Sequence, residues 1–444
     1  MNPLDTLFNP ESIILVGAAH TEDKLGGIIL RNLLKFKGKV SPVNPQYGKL
    51  MGLQAYPSVS DIPGPVDLAI IVRPAQEVPE ILEECKGRAG YAIVVSSGFA
   101  EAGREDLQDE VKRIGLEAGV RLLGPNCMGI FNPHKRLDTL FISYGKLKRP
   151  KRGNVAILSQ SGAIITCLFE TIRLANVGVS KAVGYGNAVD IDESDLYEYL
   201  ATDKDTDVVI SYIESLGDGR KFIDKAKKLS EEKPLLILKP GKGASGQAAA
   251  YSHTGRLAGR YEVFHSILKQ FGIQEAGDFD EFIDAAKALS YQRPLKGRRV
   301  LIVTDGGGSG VLAADECMRQ GLDVAKVSDE KTGKLREAFP PFYALNNPVD
   351  LTAQVKDADY AFVLNELKDD YDAFIIIALA AVAGVTERLA ELIRDFRATT
   401  DKPVVVYTAN DSSAKKLGAL LEKAKIPVYP SPERAVRGLR ALLR

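Results

Sequence analysis

One of the four histidines, His253, lies in a run of mostly small residues from 241 to 255, shortly after a predicted strand that ends at Lys239. Near neutral pH an imidazole nitrogen can act as the nucleophile in phosphoryl transfer, and small neighbours leave room for a phosphate and for loop motion. Glu214 ends another predicted strand, so its carboxylate could bond one ring nitrogen and leave the other free to attack. Taken alone, a histidine without function is the commoner case, and a solvated glutamate explains Glu214 equally well.

The segment Leu158-Ser-Gln-Ser-Gly-Ala163 joins the end of a predicted strand to the start of a predicted helix. The first turn of a helix has free N–H donors and the positive end of the helix dipole, which together favour a phosphate or a phosphorylated side chain. The candidate phosphate-binding residues are therefore Gln160, Ser161 and Gly162. An ordinary N-cap at Ser159 or Ser161 is the alternative interpretation.

A second turn of small residues follows the first predicted strand, from Val16 to His20, and leads to Lys24 and a pair of glycines. Backbone N–H groups at such a helix start can face a phosphate-bearing ligand. The GxGxxG fingerprint of dinucleotide sites is absent, and the second strand ends at Asn44 without the acidic residue expected on a ribose hydroxyl. A nicotinamide cofactor is therefore not expected, and a tight turn without a ligand remains the alternative.

A third glycine-rich turn, Thr304-Asp-Gly-Gly-Gly-Ser-Gly310, also resembles a phosphate turn. It lacks the Lys-Ser/Thr ending of a Walker A motif, so we do not assign ATP to it. A tight turn or a contact with a neighbouring subunit is the favoured interpretation. No other Walker A candidate occurs, so the sequence contains no recognised site for a nucleoside triphosphate.

Short β-branched runs alternate with amphipathic helical stretches in three successive blocks, a pattern typical of parallel sheets covered by helices. Two basic segments that contain proline, 146–153 and 292–299, separate the blocks, and we interpret them as a solvated linker and a hinge. We therefore predict an α/β fold of three doubly wound domains: a Rossmann-like domain at 1–148, then flavodoxin-like domains at 149–292 and 293–444. The turns described above follow strands, and open parallel sheets bind ligands at the carboxyl ends of their strands.

Lys plus Arg and Asp plus Glu both number 58, so the net charge is zero and no global field favours nucleic acid or an anionic membrane. The four cysteines are scattered without metal-ligand spacing, which indicates structural thiols in a reducing cytoplasm and no metal site. The N-terminus lacks the basic and apolar regions of a signal peptide. The most apolar stretch, 373–385, is too short to span a membrane and is predicted to be a buried strand followed by a turn.

In their order along the chain, these motifs resemble the NDP-forming acyl-CoA synthetases, relatives of succinyl-CoA synthetase. The segments that carry the resemblance are Ser12–Ala18 with Gly26 and Gly27, Val43–Pro45, Ser96–Phe99, Gly124–Cys127, Ser159–Gly162, Gly186 and Asn187 with Asp190, Glu214, Ser252–Gly255 and Asn347–Asp350. Each segment is weak evidence for the family by itself, but their joint occurrence in one order, along essentially the whole chain, is highly specific for it.

The resemblance implies that the first domain is a CoA-binding domain, that the second carries the phosphorylated histidine, and that the third is the additional flavodoxin-like domain of the ADP-forming branch. The implied CoA-binding residues are Gly17, Ala18, Lys24, Gly26, Gly27, Asn44, Pro74, Ser97, Gly98 and Asn126. The implied catalytic residues are His253, which accepts the phosphoryl group, and Glu214, which orients the imidazole. By the same resemblance, the helix start at Gln160, Ser161 and Gly162 stabilises the phosphate charge.

The resemblance also implies a reaction in three steps. Acyl-CoA and phosphate give acyl phosphate and free CoA; His253 takes the phosphoryl group and releases the carboxylic acid; the loop then moves, and the phosphoryl group passes to ADP with Mg²⁺. The ATP-grasp domains that hold nucleotide in this family are missing from the sequence, which implies a separate β subunit in an α2β2 assembly. The resemblance therefore predicts coenzyme A as a substrate, with Mg²⁺ and ADP on the partner subunit.

Two residues depart from the family pattern: Arg256 replaces a small residue after the His-Thr-Gly triplet, and Lys24 lies in a slightly altered first turn. The alternative function is a non-catalytic CoA-sensing or acyltransfer-associated protein, whose relatives have lost the phosphorylatable histidine. Because His253 is present and no acetyltransferase segment follows Arg444, we favour the enzyme. The sequence leaves open the acyl group (acetyl, branched-chain or aryl), the direction of the reaction and the identity of the β subunit.

Overall fold

The computed structural model describes residues 2–243, 245–246, 260–409 and 412–443. It consists of parallel sheets covered by helices, which confirms the predicted α/β class. The chain divides into two compact units, Met1–Ala276 and Gly277–Arg444. The three-domain division at 148 and 292 stays a prediction. No helix in the described ranges has the length and apolar character needed to cross a membrane.

The first sheet belongs to the unit Met1–Ala276. In chain order its elements are α1 (Asp5–Phe8), β1 (Ser12–Val16), α2 (Leu25–Leu33), β2 (Lys39–Val43), β3 (Lys49–Leu50), β4 (Leu53–Gln54), β5 (Val66–Ile71), a 3-10 turn (Ala75–Glu77), α3 (Val78–Glu84), β6 (Ala89–Val94), a 3-10 turn (Ala100–Ala102), α4 (Glu105–Ala118) and β7 (Arg121–Leu123). Five parallel strands lie in the order β2-β1-β5-β6-β7, while β3 and β4 form a separate antiparallel pair. The strand order reverses between β1 and β5, and open sheets bind ligands at such a reversal.

The second sheet lies in the same unit. Its elements are β8 (Gly129–Asn132), β9 (Leu137–Asp138), β10 (Arg152–Ser159), α5 (Gly162–Leu174), β11 (Val179–Gly184), α6 (Glu193–Thr202), β12 (Val208–Tyr212), α7 (Gly219–Glu232), β13 (Leu235–Leu238), α8 (Tyr261–Gln270) and β14 (Gln274–Glu275). The strand order is β14-β13-β12-β10-β11-β8-β9, and β8 and β9 pair in antiparallel fashion. Both sheets contribute side chains to one apolar core, among them Leu15, Leu158 and Val183, which explains why they form one unit.

The third sheet lies in the unit Gly277–Arg444. Its elements are α9 (Phe279–Tyr291), β15 (Val300–Thr304), α10 (Gly307–Arg319), α11 (Asp329–Ala338), β16 (Val349–Asp350), α12 (Asp357–Leu367), β17 (Ala373–Ile377), α13 (Arg388–Ala398), β18 (Val404–Tyr407), α14 (Ser412–Lys423), β19 (Val428–Tyr429) and α15 (Pro432–Arg440). All five strands are parallel, in the order β16-β15-β17-β18-β19. The buried strand predicted within 373–385 is confirmed as β17, which leads into a turn.

The basic segment 146–153 is more than a solvated linker. Its lysines are exposed, as expected, but the Arg149 side chain is 4% exposed and its Nε donates to the Asp138 carboxylate at 2.8 Å. Asp138 lies on β9, where burial raises the pKa of its carboxyl and the guanidinium supplies the opposite charge. The prediction of exposure is therefore wrong for Arg149, because a buried carboxylate is stable only with a charged or hydrogen-bonded partner.

Candidate functional site

At Gly17 and Gly26 the first turn leaves no room for a side chain, because a backbone carbonyl oxygen lies where each Cβ atom would project. Gly17 follows β1 with a φ of 85°, and a Cβ atom there would lie 2.2 Å from the carbonyl oxygen of Val72. A Cβ atom on Gly26, in the first turn of α2, would lie 2.0 Å from the carbonyl oxygen of Gly17. Glycine at both positions therefore lets the start of α2 lie directly against the turn after β1, at the reversal between β1 and β5.

The other predicted CoA-binding residues lie at the same edge of the first sheet. Asn44, directly after β2, donates from Nδ2 to the carbonyl oxygen of Ala18 at 2.8 Å. Asn126, shortly after β7, donates its backbone N–H to the carbonyl oxygen of Ser96 at 2.8 Å. The remaining ones are Lys24 and Gly27 at the start of α2, Pro74 after β5, and Ser97 and Gly98 after β6. The structure thus brings these candidates together at one edge, and their binding of CoA stays a prediction.

The predicted phosphate turn lies between β10 and α5. Ser161 is the N-cap of α5, and its Oγ accepts a hydrogen bond from the N–H of Ile164 at 3.4 Å. Ser159 Oγ accepts from the N–H of Ser161 at 3.1 Å and donates to that residue's carbonyl oxygen at 2.8 Å. Within the described residues, the N–H groups of Gly162 and Ala163 have no acceptor. The helix start therefore offers two backbone donors to an anion.

The Gln160 side chain fastens the phosphate turn to the end of the neighbouring strand β12. Its Oε1 accepts hydrogen bonds from the backbone N–H groups of Glu214, at 2.5 Å, and of Ser215, at 2.9 Å. Its Nε2 donates to the carbonyl oxygen of Ser215 at 2.7 Å. The amide thus holds the backbone that carries Glu214, a task that sequence reasoning missed because nothing in the sequence pairs residues 54 positions apart. Binding of phosphate by Gln160 stays a prediction.

Glu214 lies just beyond β12 and is 8% exposed. The Tyr212 hydroxyl hydrogen-bonds to its carboxylate, and burial, followed by this carboxylate, raises the pKa of Tyr212 above its ordinary value. Lys239, which follows β13 and is 3% exposed, donates from Nζ to the backbone carbonyl oxygen of Glu214 at 2.7 Å. Burial lowers the pKa of Lys239. Sequence reasoning did not single out Lys239; the available signal was a lysine directly after a fully apolar strand.

The predicted nucleophile His253 lies outside the described residues, as does Arg256. The described chain stops at Gly246 and resumes at Arg260. Before this segment, Lys242 donates from Nζ to the carbonyl oxygen of Ala276 at 3.2 Å. The pairing of His253 with Glu214 therefore stays a prediction, and the structure describes only the Glu214 side of it.

Hydrogen bonds link the edge of the first sheet to the phosphate turn. Asp190 accepts from Arg121 Nε at 2.9 Å and from the N–H of Leu122 at 2.7 Å, which joins the loop after β11 to β7. The N–H of Tyr185, directly after β11, donates to the carbonyl oxygen of Ser159 at 3.0 Å. Arg121 and Asp190 thus hold the two sheets together within one unit. Asp190 belongs to the motif that carried the family resemblance, whereas its partner was not identified from the sequence.

The third glycine-rich turn is tight, as one interpretation predicted. Thr304 Oγ1 accepts from the N–H of Gly306 and donates to its carbonyl oxygen, both at 3.0 Å. Between them, Asp305 is 4% exposed, and its Oδ2 accepts from the N–H of Leu379 at 2.8 Å. Burial raises the pKa of Asp305 to about 6, and the Asp350 carboxylate acts in the same direction. Sequence reasoning did not single out this buried carboxyl.

Three domain families match successive parts of the chain. A CoA binding domain matches residues 11–133, a succinyl-CoA ligase like flavodoxin domain matches 152–289, and a ligase-CoA domain matches 300–443. All three descriptions name CoA or a CoA ligase, and the first two fall on the turns described above. Together with the fold, these matches define a CoA ligase of the succinyl-CoA ligase type.

Full-length relatives narrow the class. The chain is 40% identical to "acetate–CoA ligase [ADP-forming] II subunit alpha" of Pyrococcus furiosus, over 99% of this chain and 97% of that protein. It is 36% identical to "acetate–CoA ligase [ADP-forming]" of Methanocaldococcus jannaschii, over 98% of this chain and 62% of that longer protein. The solved structure of "dinucleotide forming acetyl-coenzyme A synthetase 1 in complex with phosphate and ADP" from Ca. Korarchaeum cryptofilum matches with a TM-score of 0.93 and 37% identity, covering 100% of this chain and 96% of that one. This chain belongs to the ADP-forming acetate–CoA ligase family, as the resemblance predicted.

Proposed function

We propose that this chain is the α subunit of an ADP-forming acyl-CoA synthetase, which converts acyl-CoA, ADP and phosphate into carboxylic acid, ATP and CoA. The observation that carries the proposal is the 40% identity, end to end, with a relative named as the α subunit of such a ligase. The CoA-sensing alternative loses support because that relative is named as a ligase. We propose acetyl-CoA as the first substrate to test, because relatives that are 36–40% identical over nearly the whole of this chain are named for acetate.

The first sheet is proposed to bind CoA at the reversal between β1 and β5. The close approach of α2 to Gly17 places the backbone N–H groups at the start of α2 beside the turn, where they can face a phosphate-bearing ligand. Lys24, at the N-cap of α2, is exposed and adds a positive charge beside that helix start. Ser97, Gly98 and Asn126 lie at the ends of β6 and β7, nearer the second sheet, and are proposed to contact the pantetheine arm.

The second sheet is proposed to carry out phosphoryl transfer. Phosphate attacks the thioester carbonyl, the carbon–sulfur bond breaks, and acyl phosphate and free CoA result. A ring nitrogen of His253 then attacks phosphorus, the bond to the acyl oxygen breaks, and the carboxylate leaves. The N–H groups of Gly162 and Ala163 stabilise the negative charge on the transferring group, and the Glu214 carboxylate holds the other ring nitrogen.

A partner subunit completes the reaction in this proposal. The terminal phosphate oxygen of ADP attacks the phosphorus on His253, and the phosphorus–nitrogen bond breaks to give ATP. We propose that an ATP-grasp β subunit holds ADP with Mg²⁺, in an α2β2 assembly. The designation "subunit alpha" of the Pyrococcus furiosus relatives supports a partner chain. All four cysteines are free thiols, which supports a reducing, cytoplasmic location.

The test is covalent labelling of the purified chain. With acetyl-CoA and radiolabelled phosphate, we expect acid-labile, base-stable label on the wild type and none on His253→Ala. The matched control is His265→Ala: His265 lies on α8, half exposed, and bonds to Glu275 rather than to the proposed site, so this variant keeps the label. Label on His253→Ala, or no label on the wild type even from acetyl phosphate, would contradict the proposal.

A further inference from the structure

A cluster of polar side chains joins the turns after β6, β7 and β11 inside the unit Met1–Ala276. Its members are Glu101, Gln108, Asn126 and Asn187. Glu101 and Gln108 come from the 3-10 turn after β6 and from α4, while Asn187 follows β11 of the second sheet. The cluster therefore bridges the edge that we assign to CoA and the sheet that we assign to phosphoryl transfer.

One oxygen of the Glu101 carboxylate holds the turn that contains Ser97 and Gly98. Oε1 accepts from the N–H of Gly98 at 2.6 Å and from the N–H of Phe99 at 3.2 Å. Gly98 has a φ of 104°, and Phe99 is fully buried, so the turn is anchored on its far side by packing. The backbone conformation on either side of Gly98 therefore depends on this carboxylate.

The other carboxylate oxygen faces the second sheet. Oε2 accepts from Asn187 Nδ2 at 2.6 Å, and the same amide nitrogen donates to Gln108 Oε1 at 2.9 Å. Asn187 Oδ1 accepts from Asn126 Nδ2 at 3.3 Å. Although burial acts to raise it, hydrogen bonds from Asn187 and from three backbone N–H groups hold the pKa of Glu101 below its ordinary value. The ionised carboxylate is thus the form that the cluster stabilises.

We infer that Glu101 is a positioning residue for CoA: its carboxylate, held between the Gly98 turn and Asn187, sets the position of Ser97 and Gly98 relative to the second sheet. The inference rests on the proposed function, in which Ser97 and Gly98 contact CoA. Glu101 itself touches the turn and not the substrate. Its effect on CoA binding therefore passes through the backbone of the turn.

Only a carboxylate satisfies both sides of this contact. The Gly98 side presents N–H donors, and the Asn187 side presents an amide NH₂, so both carboxyl oxygens must accept. Glu101→Gln keeps the shape but carries one acceptor oxygen, so its NH₂ group faces a donor on one side or the other. A charged acceptor with short hydrogen bonds contributes more than a neutral one, and leaving a partly buried donor unpaired adds to the loss.

The test measures CoA binding by titration calorimetry on the full chain. We expect the Kd for CoA to rise about tenfold or more in Glu101→Gln, from the loss of one charge-assisted contact. The matched control is Glu110→Gln, an exposed glutamate on the adjoining helix α4, for which the Kd stays within about twofold of wild type. Equal CoA affinity in Glu101→Gln and wild type would overturn the inference and leave the proposed function standing.

A double variant separates this geometry from a loss of charge alone. In Glu101→Gln with Asn187→Asp, the glutamine oxygen accepts from the Gly98 turn and its NH₂ donates to the new carboxylate. The Gln108 amide rotates to donate its NH₂ to the same carboxylate, so the contacts are restored with the polarity reversed. We expect the Kd for CoA to return to within about threefold of wild type, whereas Asn187→Asp alone weakens binding by opposing two carboxylates. A double variant as weak as the worse single variant would refute the proposed contact.

A second readout distinguishes positioning of CoA from a general structural role. Labelling of His253 from acetyl phosphate needs no CoA, so Glu101→Gln should label at the wild-type rate from acetyl phosphate and slowly from acetyl-CoA and phosphate at subsaturating acetyl-CoA. Equal loss in both labelling reactions would overturn the inference in favour of general destabilisation. A wild-type chain that binds no CoA would sink the inference together with the CoA assignment.

Discussion

Replacing Asp305 with asparagine tests how strongly burial of its carboxyl opposes folding at neutral pH. Asp305 lies at the carboxyl end of β15 and is 4% exposed. A hydrogen bond from the N–H of Leu379 favours the ionised form, but burial outweighs it and raises the pKa to about 6 from the ordinary 3.8. The native state therefore binds this proton more tightly than the unfolded state does.

The sign and size of the effect follow from that difference. The stabilisation is fully present below about pH 4 and is lost as the pH rises to about 6, because over that range the carboxyl ionises in the unfolded chain but not in the native state. A difference of about two pKa units corresponds to about 3 kcal/mol in the free energy of unfolding. Asparagine keeps the shape, still accepts from Leu379 and cannot ionise. We therefore expect Asp305→Asn to be more stable than wild type by about 1–3 kcal/mol at pH 8 and nearly equal to it at pH 4.

Scanning calorimetry of the full chain measures this as the midpoint of the transition that belongs to the unit Gly277–Arg444. For a unit of this size, about 2 kcal/mol corresponds to a rise of roughly 4–8 °C at pH 8. Asp315→Asn, an exposed aspartate on α10, is the control and should shift the midpoint little at either pH. Equal midpoints for wild type and Asp305→Asn at pH 8, or a difference that does not shrink towards pH 4, would refute the reasoning.

Two further substitutions address the candidate site. Gln160→Ala removes three hydrogen bonds to the backbone at Glu214 and Ser215, so we expect the free energy of unfolding to fall by about 2–3 kcal/mol. It should also slow labelling of His253 from acetyl phosphate by at least about tenfold, measured by rapid quench; an unchanged rate would count against an orienting role for Glu214. Gly26→Ala places a Cβ atom 2.0 Å from the carbonyl oxygen of Gly17, so we expect CoA binding to weaken more than about tenfold in calorimetry. The control is Gly90→Ala on β6, where the added Cβ atom would have no atom within 4 Å apart from its chain neighbours. Equal effects of the two substitutions on CoA binding would show that the turn does not matter.

The strands that carry the site were predictable because they are buried on both faces. Parallel strands covered by helices have short continuous apolar sequences, as in Ser12–Val16 and Val300–Thr304, and the buried strand predicted within 373–385 is Ala373–Ile377 in the structure. The turns were predictable for a related reason. Where a helix start must lie against a strand end, glycine or a capping serine is required, and both are visible in the sequence.

The polar partners were not predictable, because they are set by tertiary pairing rather than by periodicity. Asp138 and Arg149 form a buried ion pair although the segment around Arg149 has the composition of a linker. Glu101 and Asn187 lie 86 positions apart and meet only because their turns lie at neighbouring sheet edges. The pairing of β8 and β9 with the second sheet has the same origin, since no local pattern indicates which sheet a short strand joins.

The positioning side chains suggest why the two turns lie in one unit. Glu101 and Asn187 fix the turn after β6 against the end of β11, and the N–H of Tyr185 joins the end of β11 to Ser159 on β10. Gln160, the next residue, then fixes the end of β12 that leads to Glu214. On the proposed function, the acyl group passes from CoA to phosphate between these two turns, and an error of about 1 Å in their spacing would slow that step substantially. Hydrogen bonds from one turn to the next hold that spacing. Glu101→Gln changes the contacts on the CoA side, whereas Gln160→Ala changes those on the phosphate side. We therefore expect the two substitutions to impair different half-reactions.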